Sequence, residues 1–443
     1  MKYLPCVLLL ALPTLVLAAG ERINHEGRLL GPLPVVNAPI LFNTPEADAV
    51  VSAMQIMPVT SPWNENISKR PRLANSAAMI NKIIADLGSS RRTLRAFFEM
   101  NYVLVPDSQP TQPINFFNYP DESDLDGGTS PVGLYPIPDN LPVESWPIET
   151  GALTLSQWQQ DVNNDGGDRH GIMVAPGAGF IWETWLTRLT GAGWEASNGA
   201  RFSLTSNALR PAGWTSADAA GLPMFPALVR YDECERGAVE HAVRLVVKRT
   251  RVGYIYPANH NASAGNLKDP NTPAMGQRLR LKASFAVPAA WTREEKAVAY
   301  ALKKYGAIVA DNGNFFSFSV CPDDRFPNGC FNHLSTVDIS NFEVINTTGP
   351  TAGPRSAGAP TVSAGADQIL PAGQKATLTG TVKGAGTIKW LLLAGPGTVK
   401  FGNPAQAHTN ATFTLPGHYV LALSVTDNVH AVAYDAMAVD VLQ

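Results

Sequence analysis

Apolar residues recur at two spacings along this chain, and the spacing assigns most of its elements. Between residues 77 and 87, Ala77, Met79, Ile80, Ile83, Ile84 and Leu87 fall on one helical face, with Asn75-Ser76 as the cap and Gly88 as the stop. A second helix is expected to 304, because Thr292 with Glu295 three residues on forms a capping box and Tyr305-Gly306 closes it. Elsewhere the runs are short and β-like, at 102–105, 115–118, 172–175, 180–185, 243–247, 252–256, 278–282, 308–310 and 314–319. The Pro-Gly-Ala-Gly turn after Ala175 predicts one hairpin, and Asp311-Asn312-Gly313 predicts another between 308–310 and 314–319. A helix is also expected after Asp232 and Glu233, with Ala238, Ala242 and Leu245 on its apolar side and His241 within it. Few helices among many strands predict a β-rich α+β main domain of antiparallel sheets.

The pattern changes near the C-terminus. Residues 362–443 alternate in short runs at 376–382, 387–393, 411–415, 419–426 and 431–441, as expected of an immunoglobulin-like β-sandwich. Residues 346–361, rich in Thr, Gly, Pro, Ser and Ala, are expected to be a linker, since they offer too little apolar surface to fold. At the other end, Lys2 precedes an apolar run over 4–17, with Val16 and Ala18 placed as at a signal-peptidase site. The expected organisation is a signal peptide over 1–19, an N-terminal arm over 20–60 and a main domain over 61–345, followed by the linker and the sandwich. No later stretch reads as a membrane span. The expectation is a secreted monomer, extracellular or periplasmic.

Charge and cysteine narrow the chemistry. A formal net charge of -3 and a pI near 6.3 supply no basic field for nucleic acid. Cys321 and Cys330 flank a turn-rich segment, so a disulfide is expected between them in an oxidising compartment, leaving Cys234 as a buried thiol between two glutamates. The chain has no Gly-x-Ser-x-Gly elbow and no His-Glu-x-x-His helix. Asp161, Asn163 and Asp165 followed by Gly166 match the first half of a calcium loop, but Ile172 stands where the closing carboxylate belongs. A structural calcium ion and an Asp/Asn/Gly turn that binds nothing both fit these residues. No other cofactor is indicated.

Residues 202–285 are dense in polar and ionisable groups, among them Arg244 and His260, set between apolar runs. The expected catalytic set is Glu183, Asp168, His170, Asp232, Glu233 and His241, brought together in one cleft from strand ends and a helix start. Trp63, Trp182, Trp185 and Trp214 would stack on sugar rings, and Arg230, Arg278 and Arg280 would either pair with the acids or clamp an anionic sugar.

The strings Gly167-Asp-Arg-His170, Ser206-Asn-Ala-Leu-Arg-Pro-Ala-Gly-Trp214, Arg230-Tyr-Asp-Glu233, Met275-Gly-Gln-Arg-Leu-Arg-Leu-Lys-Ala-Ser-Phe285 and Ala310-Asp-Asn-Gly313 resemble a group of secreted soil-bacterial proteins over most of 61–345. That resemblance implies an extracellular role and one catalytic-sized domain. Ser363-Ala-Gly-Ala-Asp367, Trp390 and Pro416-Gly-His-Tyr resemble the PKD modules of secreted bacterial proteins, with Trp390 as the core tryptophan. Such modules accompany extracellular degradative enzymes, an association and not a mechanism. The expected partner is an extracellular polysaccharide. The expected function is a polysaccharide-active hydrolase using paired carboxylates, or in the alternative a non-catalytic glycan-binding or adhesive protein, or a lyase on acidic polysaccharide.

Overall fold

Two sheets carry the main domain. The computed structural model describes residues 22–165, 167–263, 265–346, 360–427 and 433–443. The proposed signal peptide and nearly all of the proposed linker lie outside them. The first sheet has five strands in the order Ile40–Leu41, Val103–Leu104, Gly171–Ala175, Phe180–Trp185 and Asn198–Ser203. The expected hairpin is there, with Ile172 opposite Glu183 and Ala175 opposite Phe180. The second sheet has six strands in the order Phe342–Val344, Arg278–Leu281, Ala307–Asn312, Val243–Val247, Phe316–Val320 and Leu94–Phe98. A third sheet of four short strands flanks the first.

The second sheet is mixed, and this corrects the second expected hairpin. Ala307–Asn312 and Phe316–Val320 are not neighbours, because Val243–Val247 lies between them, parallel to the former and antiparallel to the latter. All five residues of that inserted strand are buried, so it gains most at the centre of the sheet. The helix expected through Ala238 stops early. It spans Tyr231–Arg236 and ends at Gly237, whose φ of 79° takes the left-handed turn that glycine adopts without strain, so His241 falls in a loop. Among the described residues, 252–256 form no strand and contribute a single bridge, Tyr254 to Met275.

Both amphipathic helices form. Ser76–Asp86 buries Met79, Ile80 and Ile83, although Asn75 makes no cap bond and turns its amide to the Pro270 carbonyl and Asn271 instead. Arg293–Lys304 opens on the expected capping box. Arg278 and Arg280 do not face Asp168, Glu183, Asp232 or Glu233. Arg278 donates to the carbonyls of Tyr305 and Pro62 beside Glu65, and Arg280 pairs with Glu343, so both lace strands and loops together. The C-terminal region is a sandwich of a four-stranded and a three-stranded sheet. Trp390 is buried between them against Leu378 and Leu421. Tyr419 donates its hydroxyl to the Leu415 carbonyl at 2.7 Å. Among the described residues no helix is long and apolar enough to cross a membrane.

Two expectations about bonding fail here. Cys321 and Cys330 are both free and buried. Cys321 packs in the core of the first sheet and Cys330 in that of the second, so the short loop between them starts and ends in different apolar layers. The calcium half-loop is closed by protein instead. Asp161 Oδ1 accepts the Asp165 N–H at 2.9 Å and pairs with Arg169 at 3.4 Å, while Asn163 and Asp165 point to solvent. Among the described residues no cluster of three acids, histidines or cysteines could hold a metal ion; Gly166 lies outside them.

Candidate functional site

A cleft of about 270 Å³ opens where the ends of the two large sheets meet, with Asp168, Trp185, Asp218, His260 and Asp311 in its lining. Asp168 stands just before the Gly171–Ala175 strand, and Trp185 ends the strand that returns alongside it. Arg169, held at φ +46°, fixes the approach by donating to the carbonyls of Thr187 and Trp158. Trp185 then stacks on Tyr119, with ring centroids 6.1 Å apart at 29°, and donates its indole N–H to Asp168 at 3.3 Å. Asp168 is exposed, Tyr119 is 41% exposed, and Trp185 is half-buried. One wall of the cleft is therefore aromatic and anchored.

Opposite it, Arg244 organises the floor. It rises from the central strand Val243–Val247 and is almost fully buried, so its charge must be matched. Asp218 takes two of its donors at 2.9 Å each, Asp311 a third at 2.7 Å, and Glu99 lies 3.7 Å away. Burial opposes the Arg244 charge, but Asp218 and Asp311 outweigh it and hold its pKa well above the usual value. The shared cation does not satisfy every acid. Burial lifts Asp311 to about 6 despite Arg244, and lifts Glu99 to about 7.

Each histidine here has an assignable proton. His170 meets only acceptors, with Nδ1 2.8 Å from Glu144 Oε2 and Nε2 2.9 Å from the Ala217 carbonyl, so both nitrogens carry hydrogen. Burial disfavours that imidazolium, yet Glu144 outweighs it and raises the pKa to about 9. His170 is thus a locked cation and has no lone pair to act as a base. His260 differs. Its Nδ1 sits 2.6 Å from the Ala219 carbonyl, which fixes the proton there and leaves Nε2 as the lone-pair nitrogen of the neutral ring at the cleft wall.

Of the residues the sequence nominated, Asp168, His170 and Trp185 meet in this cleft. Glu183 does not. It is completely buried on the face of the first sheet, and its oxygens accept the Met224 and Phe225 N–H groups at 2.9 Å, which caps the Phe225–Ala227 turn of helix. Burial raises it to about 7, but its contacts are structural. Asp232, Glu233, His241 and Arg230 form a separate buried cluster, in which Arg230 pairs with Glu233 at 2.7 Å and His241 Nε2 lies 3.1 Å from the same carboxylate. Burial opposes the Glu233 charge, yet Arg230 and His241 outweigh it and hold the pKa at about 2. The neighbouring cavity, about 30 Å³, has room for a water-sized occupant and is closed by Asn24 and Arg28 on Glu240. The single six-residue cleft is therefore not formed.

The tryptophans divide in the same way. Trp63 is in the core, Trp182 is buried with its N–H on Asp126, and Trp214 lies under Arg210, so none of the three offers a face to the Trp185 cleft. The sequence reading passed over Asp218, Asp311 and Tyr119, and noted Arg244 and His260 without giving them roles. A lone arginine inside the run Val243-Arg244-Leu245-Val246-Val247 was the available signal, because a charge in a buried strand demands partners.

The C-terminal sandwich, with its buried Trp390 and two packed sheets, is an immunoglobulin-like domain. It is a PKD domain: residues 364–441 match the model of a PKD domain family. Solved relatives are similar over the same small share of the chain. The solution structure of the PKD domain from KIAA 1837 protein is 25% identical over 18% of this chain and 85% of its own, with a TM-score of 0.16. The PKD domain of human KIAA0319 is 19% identical over 19% of this chain and 83% of its own, with a TM-score of 0.16. A nucleoside hydrolase-related hypothetical protein from Saccharophagus degradans, described as associated with carbohydrate metabolism, is 13% identical over 39% of this chain and 41% of its own, with a TM-score of 0.18. No curated protein matches the chain.

Proposed function

We propose that the chain is an extracellular saccharide-binding protein whose ligand lies in the Trp185 cleft. The observation that carries this reading is the stacked Tyr119–Trp185 pair, accessible and pinned by Asp168, beside carboxylate and imidazole groups able to bond hydroxyls. An apolar ring face next to convergent polar groups suits a sugar, which has C–H faces and a hydroxyl rim. The PKD domain supports an extracellular setting, as does the resemblance of 61–345 to secreted soil-bacterial proteins. The test is binding of the full chain to a panel of neutral, amino and acidic polysaccharides. Wild type is expected to retain at least one polymer, and Trp185→Ala to weaken that binding about tenfold or more. Equal binding by Trp185→Ala, or no binding to any polymer, refutes the reading.

Hydrolysis at the same cleft is the second reading, favoured by the raised pKa of Asp311 and the free Nε2 of His260. Asp311 would protonate the leaving glycosidic oxygen as the C–O bond breaks, and Asp168 or His260 would take a proton from the water that adds to the anomeric carbon. Reducing ends released by wild type and lost in Asp168→Asn would support it. A lyase on acidic polysaccharide has less support, since Arg230, Arg278 and Arg280 are all committed elsewhere.

A further inference from the structure

The charged groups in the Trp185 cleft differ sharply in how far a ligand can reach them. Both cations are sealed in. Arg244 is 3% exposed, and its donors are engaged by Asp218, Asp311 and Ser319, while His170 is also 3% exposed with both ring nitrogens bonded. The acids are the accessible partners. Asp168 is exposed and, among the described residues, pairs with no lysine or arginine, and the Asp311 side chain keeps 25% of its surface beside it. Acids also outnumber cations behind the wall, because Arg244 is shared between Asp218 and Asp311 with Glu99 close by, and Glu144 neutralises His170. Glu183 adds a further buried carboxyl nearby, and His260 is the remaining titratable group at the wall.

On the saccharide reading above, we propose that the cleft selects an amine-bearing sugar, a 2-amino-2-deoxy sugar or its oligomer, with the ammonium against Asp168 and Asp311. The aromatic wall reinforces this choice, because the faces of Trp185 and Tyr119 attract cations as well as C–H surfaces. An ammonium offers three donors to carboxylates that lack them. A uronate would meet those carboxylates with a like charge and would find no exposed guanidinium to hold it. The raised pKa of Asp311 has the same origin, a surplus of negative charge around one shared guanidinium.

The test measures binding of the full chain at near-neutral pH and low salt to four oligomers of equal length: glucosamine, N-acetylglucosamine, glucose and galacturonic acid. The glucosamine oligomer is expected to bind about tenfold more tightly than its N-acetylated counterpart, and galacturonate not at all. Asp168→Asn, an exposed change that leaves the core intact, is expected to remove that advantage while leaving N-acetylglucosamine affinity within about twofold. Added salt is expected to weaken only the glucosamine complex. If the N-acetylated or neutral oligomer binds as well or better, the amine preference is overturned and the saccharide reading survives. A linear polyamine that binds as tightly as the glucosamine oligomer overturns the sugar half, and no binding by any oligomer removes both readings.

Discussion

Arg244 and Asp218 form a two-pronged buried pair, with Nε and Nη2 of the guanidinium each 2.9 Å from a different carboxylate oxygen. The geometry joins the central strand of the six-stranded sheet to the loop that forms the opposite wall of the cleft. Neither side chain exceeds 3% exposure, so water cannot take the place of a missing partner.

Removing that partner should therefore unfold the site before it alters any chemistry. Arg244→Met is expected to lower stability by about 3–5 kcal/mol, since it strands Asp218 and Asp311 together. Asp218→Asn, which keeps one acceptor, should cost less. Urea denaturation of the two variants gives the comparison, and equal midpoints for Arg244→Met and wild type would refute it.

The His170–Glu144 pair predicts a loss of stability on the alkaline side. The folded pKa of His170, about 9, lies above the ordinary 6.5, so its contribution is complete below about pH 6.5 and disappears as pH rises through 9. The amount is on the order of 3 kcal/mol. Denaturation midpoints from pH 6 to 9.5 should fall in wild type and stay nearly flat in His170→Asn. Matching slopes in the two proteins would assign the effect to other groups.

Glu183 should behave as a cap. Glu183→Ala leaves two buried N–H groups without an acceptor and is expected to cost about 2–3 kcal/mol. Glu183→Gln, which keeps one oxygen, should retain saccharide binding within about twofold because Glu183 does not line the cleft. A large loss of binding in a well-folded Glu183→Gln would return this residue to the functional set.

The thiols give a simpler test. Cys321 and Cys330 should resist alkylation in the native protein, where burial raises both pKa values, and both should react after denaturation without reductant. A pair that reacts only after reduction would demonstrate a disulfide.

How much of this could be read from the residues depends on the range over which each signal acts. The helix Ser76–Asp86, the capping box of Arg293–Lys304, the first hairpin and the strands around Trp390 follow from neighbours within a few positions, and periodicity and turn chemistry determined them. The break at Gly237 is local too, yet the apolar spacing of Ala238, Ala242 and Leu245 imitates a longer helix and conceals it. Strand order is a different matter. Nothing near Asp311-Asn312-Gly313 announces that Val243–Val247 will insert between the strands it joins, because the preference comes from burying both faces of a distant segment.

The cleft shows the same division. The sequence supplied a correct inventory of ionisable residues, and Asp168, His170 and Trp185 could be nominated because they flank a recognisable hairpin. It could not distribute the acids. Glu183 faces the core because of strand parity and a loop that folds over it, Glu233 is claimed by Arg230 and His241, and Asp311 reaches the cleft only because Arg244 rises from the inserted strand to meet it. Which carboxylates remain open to a ligand depends on where the cations lie in three dimensions, and tertiary packing alone decided that.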